Sequence, residues 1–354
     1  MTATTRDGPR VFDGHTDVLL DLHLPERGHG RSFFERSAHG HLDLPRARDG
    51  GYAGGLFAIF VPNDGPVGHL DRTAGGYKVP LAPAVPPARA KRFTAEVLER
   101  LNRLEAAADG ELVVVRDVDG LRAGLAAGAV VAVVHLEGAA AVDPDLGNLD
   151  RLYAAGVRSI GLTWSRPNAF GHGVPFAYPR SPDTGPGLTE AGRTLVRACD
   201  ERGILLDLAH LNERGFWDVA ALTERPLVVS HAGVHAICPS TRNLTDEQLD
   251  AVGDSGGVVG VTLDVPNLRP DGGNDPATPL GTFVDHVMHV ANRLGVEHVA
   301  LGSDFDGCRI PDAVGDVTGV PRLLDALRDR GFGPADLERF ARGNWLRVLG
   351  EAWA

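Results

Sequence analysis

Eight short apolar runs, separated for the most part by stretches with helical spacing, constrain this chain more than any other feature. In order they read RVFDGHTD, GGLFAIFV, AVVAVVHLEG, VRSIGLTW, GILLDLAH, PLVVSHAG, GGVVGVTLD and HVALGSDFDG. Most are rich in Val, Ile and Leu on both faces, the pattern of strands in a parallel sheet covered on both sides. Stretches such as AKRFTAEVLERLNRLEAAA, LTEAGRTLVRACDERG and GTFVDHVMHVANRLG read as helices, with Thr189 and Thr245 placed as N-caps. Eight such alternations in 354 residues predict an α/β fold, a (β/α)8 TIM barrel, with a doubly wound open sheet as the rival. The strand ends favour the barrel. His15 and Asp17, Glu137, His210, His231 and Asp304 close five of the runs, and a closed barrel gathers such ends at one mouth where an open sheet strings them along an edge.

No linker or repeat divides residues 1–354, so a single barrel domain is expected. Two Pro- and Gly-rich loops, at about 62–90 and 165–188, leave the functional rim and are candidates for walls over a site. Charge narrows the partners. With 47 acidic against 35 basic residues, a net charge of -12 and no Lys/Arg run longer than two, the chain is not expected to bind nucleic acid or a membrane; a small molecule suits it better. The segment MTATTRDGPR lacks the apolar core of a signal peptide, and cytoplasmic localisation is expected. Three cysteines at long spacings fit reduced thiols.

Asp13, His15 and Asp17 alternate along the first run, so His15 and Asp17 point to one side and can anchor one cation. His210 and His231 end consecutive runs, and strands about 4.8 Å apart bring two imidazoles within reach of one ion. Glu137 follows five apolar residues and His135, a costly place for a carboxylate without a positive partner. Midway between the two anchors it suits a bridge, which predicts a binuclear site. Nitrogen and carboxylate donors favour two Zn2+ per chain, with Mn2+, Co2+ or Fe2+ as the alternatives. His135, same-sided but deeper, reads as structural. Asp304 is placed to handle protons, whereas Asp306, before a glycine, reads as a brace for its loop. His29, His39, His69, His286, His289 and His298 read as surface or helix-face residues.

The blocks DGHTD, HLDLPRARDGGYAGGLFAIF, HLEG, GLTW, DLAH, SHAG, STRN and GSDFDG occur in the order found in the renal-type (membrane) dipeptidases, and the chain resembles that family, in its bacterial branch, over nearly its whole length. The resemblance implies a zinc metallo-dipeptidase on an amidohydrolase-like barrel, with His15 and Asp17 on one ion, His210 and His231 on the other, and Glu137 bridging. It also implies that Asp304 moves the proton and that Arg242 grips the carboxylate of a free dipeptide. Family members often form dimers, so a homodimer is expected, although no sequence feature marks an interface. Where better-known members carry a histidine, the fourth run here ends in Trp164, and His172 in the following loop is a candidate to supply the missing group. That departure leaves two other readings open: hydrolysis of a cyclic, lactam or N-acyl amide on the same barrel, and a barrel that binds metal without turnover.

Overall fold

The computed structural model describes residues 8–63, 65, 71–73 and 75–354. The eight runs form eight parallel strands in chain order: β1 (Val11–Thr16), β2 (Tyr52–Phe60), β3 (Val130–Glu137), β4 (Val157–Gly161), β5 (Leu205–Asp207), β6 (Val228–Ala232), β7 (Val258–Val261) and β8 (Val299–Leu301). Each pairs with the next, and a parallel bridge between Thr16 and Phe305 brings β8 back to β1. That seam is sealed by Asp17 N–H donating to the Phe305 carbonyl at 2.8 Å and Asp304 N–H to the His15 carbonyl at 3.1 Å. The barrel expected from the strand ends is the observed architecture.

Strand β3 shows why the interior is apolar below and polar above. Its side chains alternate, so Val130, Ala132, Val134 and Leu136 join the core between strands and helices, while Val131 and Val133 join a second core with Phe12, Leu56, Leu205, Val228, Val258 and Ala300. The next residues of the inward parity are His135 and Glu137, both buried. The lower core is closed by the helix Asn344–Ala352, whose Trp345 is fully buried against Phe12 and donates its Nε1 hydrogen to the Leu301 carbonyl at 3.0 Å. A side chain cannot replace the hydrogen at Gly14, where a Cβ would stand 2.3 Å from the Ser230 carbonyl oxygen and 2.4 Å from the Trp345 ring. Trp345→Ala should therefore cost about 3–5 kcal/mol, through lost transfer energy and the cavity left in the floor, read as a lower urea midpoint at unchanged slope.

Thr189 and Thr245 cap their helices as expected, the second through a capping box with Gln248. The two wall-forming loops carry structure of their own: Asp71–Thr73, Gly76–Val79 and Phe176–Tyr178 make a three-stranded antiparallel sheet that ties one loop to the other. Part of the 62–90 loop, with His69, lies outside the described residues. His286 departs from a surface reading. It sits on the inner face of helix Leu280–Leu294, fully buried, accepting from Val234 N–H at 2.8 Å through Nδ1 and lying 2.9 Å from the Leu268 carbonyl through Nε2.

Candidate metal centre and its cavity

Only some of the site residues stand within strands. Asp17 follows β1, His210 lies three residues beyond β5, and Asp304 three beyond β8. His210 and Asp304 adopt left-handed backbone conformations, with φ of 63° and 60°. Such conformations cost a non-glycine residue and persist where the surroundings enforce them. Here each begins a loop at the mouth while keeping its side chain at the rim. Asp13, of the same parity as His15, takes no part in the centre: its carboxylate accepts from Ser303 N–H at 2.7 Å and Ser303 Oγ–H at 2.5 Å, stitching β1 to the residues after β8. Burial pushes its carboxyl up to about 7 against those bonds.

The remaining candidates converge. Glu137 presents Oε1 to His210 Nε2 at 3.0 Å and His231 Nε2 at 3.9 Å, and Oε2 to His15 Nε2 at 3.7 Å. His15 Nε2 also lies 4.0 Å from Asp304 Oδ1. Donor atoms of His15, Glu137 and His231 form one group, and those of His15, Asp17 and Asp304 another, each within 4.8 Å of one another. The groups overlap at His15.

Three observations fit a bound cation. The buried His15 has no hydrogen-bond partner at either ring nitrogen, and Asp17 Oδ1 has none; such groups are costly without something to take their lone pairs. Ser230 Oγ donates to Asp207 Oδ2 at 2.6 Å and so accepts from His231 Nδ1, 2.8 Å away. That network assigns the His231 proton to Nδ1 and leaves Nε2 a bare acceptor, 3.0 Å from His210 Nε2. Two nitrogens on one zinc stand about 3.3 Å apart at tetrahedral angles and usual bond lengths. His210 Nδ1 is held in turn by Ser165 Oγ at 2.8 Å. Hydroxyl partners of this kind orient metal-binding imidazoles.

The electrostatics agree. Burial, then the charges of Asp17 and Asp304, push Glu137 well above the usual carboxylate range; burial, then Asp17 and Asp264, do the same to Asp304. Asp17 is raised to about 7, chiefly by burial. His15, His210 and His231 are pushed well below their ordinary value, first by burial and then by Arg242 and neighbouring histidine rings. Burial thus favours the neutral imidazole form that binds metal, and a cation would offset the cost of keeping the carboxylates ionised.

Above them opens a cavity of about 440 Å³, lined by Asp17, Glu137, His210 and Asp304 and, further out, by Arg242, Trp164, Phe60 and Phe176. Arg242 is buried, not solvated. Its Nη2 reaches the His231 carbonyl at 3.3 Å, on a segment whose Thr241 N–H donates to the Ala177 carbonyl at 3.0 Å. Trp164 stands against Phe60 and Phe176, with ring centroids 4.9 and 5.6 Å away, and forms an apolar wall. His172 is half-buried and is not among the residues lining the cavity. His135 stays below the centre, its Nδ1 on Ser159 Oγ at 2.9 Å. Asp306 braces its loop through Arg31 Nη2 at 2.7 Å.

A model of the membrane dipeptidases, peptidase family M19, matches residues 6–354. The chain belongs to the membrane dipeptidase family. It is accordingly a metal-dependent hydrolase of peptide bonds. Its fold superposes on a dipeptidase of the same metallopeptidase family with a TM-score of 0.92, at 42% identity over 98% of this chain and 99% of that one. A metallopeptidase from Rhodobacter sphaeroides, solved with a phosphinate mimic of the dipeptide L-Ala-D-Ala, is equally similar at a TM-score of 0.92, 41% identity and coverage of 98% and 100%. An uncharacterized Klebsiella pneumoniae protein from the pqqA 5′ region is 50% identical over 221 residues, 62% of this chain and 82% of its own. Despite the family's name, no helix among the described residues of this family member is long and apolar enough to cross a membrane.

Sequence reasoning passed over Asp264, Ser165, Ser230 and Arg166. Asp264 carried a signal, since it ends the seventh apolar run as the selected residues end theirs, and it lines the cavity. Arg166 had none. It is buried behind Trp164, donating to Asn63 Oδ1 at 2.7 Å and the Val61 carbonyl at 2.5 Å, and so pins the first residues of one wall to the other.

Proposed function

We propose that this family member hydrolyses free dipeptides at a binuclear zinc centre, and that it accepts a D-residue at the C-terminal position. The observation that carries the reading is the convergence of His15, Asp17, Glu137, His210 and His231 beneath a cavity that also holds the buried Arg242. In it, His15 and Asp17 would hold one ion and His210 and His231 the other, with Glu137 between the two pairs. When bound, divalent metal there would supply an acidified water and polarisation of the scissile carbonyl. Arg242 takes the substrate's α-carboxylate with its planar fork. Asp304 accepts the proton released in the attack and returns it to the departing amine. Phe60, Trp164 and Phe176 keep water from the N-terminal side chain. The Rhodobacter neighbour's mimic of L-Ala-D-Ala supports the dipeptide class and the D-configuration.

The test is hydrolysis of L,L- and L,D-dipeptides, with N-acetylated and amidated controls, by zinc-loaded protein of determined metal content. Cleavage of free dipeptides alone, at about two ions per chain, is expected. Arg242→Gln should lower kcat/KM for them by about 10²-fold, mainly through KM, because a buried charge pair has lost one partner. Two bound ions with no dipeptide cleaved would transfer the assignment to cyclic or acylated amides.

A further inference from the structure

The proposed roles of Arg242 and Asp304 fix where the C-terminal residue of a dipeptide lies. Arg242 follows β6 and takes that residue's carboxylate; Asp304 follows β8 and meets its nitrogen. Both groups belong to the same amino acid, so it spans the rim from β6 to β8 across β7, and one of its two configurations directs its side chain toward β7. The residue that β7 sends to the cavity is Asp264.

Asp264 is not occupied by a structural task equal to its charge. It stands at the N-cap position of the short helix Val265–Leu268, where an aspartate commonly accepts from the helix's own N–H groups, yet its side chain makes no such bond. Its Oδ2 accepts from Asn267 Nδ2 at 2.6 Å, a neutral partner that fixes its direction. Among the described residues no cation comes within ion-pair distance; Arg242 is the positive charge that it feels, and burial raises its carboxyl to about 7. Once a substrate carboxylate engages Arg242, Asp264 loses that balance while still facing Asp304. A positive group on the substrate restores it. Phe60, Pro62, Trp164 and Phe176 give the cavity an apolar wall.

We infer that Asp264 is a specificity-determining residue, and that the favoured substrates are dipeptides with an apolar N-terminal residue and a C-terminal residue whose side chain carries an ammonium or guanidinium group. The inference rests on the dipeptidase reading above. Its test uses the zinc-loaded full chain with Leu-Lys, Leu-Met and Leu-Glu, each in L,L and L,D form, Met matching Lys in length without its charge. Leu-Lys should exceed Leu-Met in kcat/KM by about tenfold or more, in keeping with a hydrogen bond to a charged group, and the difference should lie in KM. Asp264→Asn should bring that ratio close to one, and Asp264→Lys should turn the preference toward Leu-Glu. Leu-Met cleaved as well as Leu-Lys by the unaltered protein, or a ratio that survives Asp264→Asn, would overturn the inference and leave the dipeptidase reading standing. Failure to cleave any of the three would overturn both.

Discussion

With the centre proposed above, His210→Ala is expected to lower dipeptide hydrolysis by on the order of 10³-fold or more and to remove about one of the two proposed ions. His210 lies closest to Glu137 of the three imidazoles, at 3.0 Å, against 3.7 Å for His15 and 3.9 Å for His231. Without it, Glu137 Oε1 keeps only the more distant His231, and the second ion is left with too few donors. The barrel should survive, because its floor is the core around Trp345, Val131 and Val133, and His210 sits above that core at the mouth. Metal analysis beside circular dichroism checks both halves of this expectation. Full activity with two ions retained would sink the binuclear assignment.

Asp304→Asn is expected to lower kcat by about 10²- to 10⁴-fold, the usual worth of a positioned proton carrier, with metal content unchanged. The pairing of readouts matters because Asp304 Oδ1 lies 4.0 Å from His15 Nε2 and groups with His15 and Asp17. Were Asp304 a ligand, the substitution would shed metal as well as activity. Asparagine has nearly the shape of aspartate and tolerates the left-handed φ of 60° found there, so the loop should hold its course. Loss of metal in proportion to activity would reassign Asp304 from proton carrier to ligand.

Apolar runs rich in Val, Ile and Leu on both faces were enough to find the eight strands of the barrel path, because a parallel barrel buries both faces of each strand, but they missed Leu112–Val114, which pairs alongside β3. They were not enough to find where the strands stop. His210 and Asp304 were read as strand ends, yet both lie three residues beyond their strands, and a positive φ at a histidine or aspartate leaves no mark in the sequence. Asp13 shares the parity of His15 and Asp17, yet the fold engages it with Ser303 instead. Its fate depends on a partner 290 residues away. The hydroxyls of Ser165 and Ser230, which orient His210 and His231, are equally silent in sequence, because serine is common and only three-dimensional proximity makes these two different. The neighbourhood of Arg242, just ahead of a helix start, carries no mark of burial; the residue is buried where Thr241 N–H donates to the Ala177 carbonyl of the strand Phe176–Tyr178.

The seam and the floor also bear on how the protein is made. Residues 299–352 supply β8, the bridge from Phe305 to Thr16, and the helix that carries Trp345. They leave the ribosome after every other barrel strand. A nascent chain that has emerged only as far as β7 thus has an unsealed edge on β1 and an unplugged interior, and it has His15 and Glu137 without Asp304. Contacts so distant in sequence form slowly, because closing a long loop must precede any gain from it. The apolar interior is therefore sealed only when residues 299–352 join the barrel, whereas His15, Asp17, Glu137, His210 and His231 all precede them in the chain.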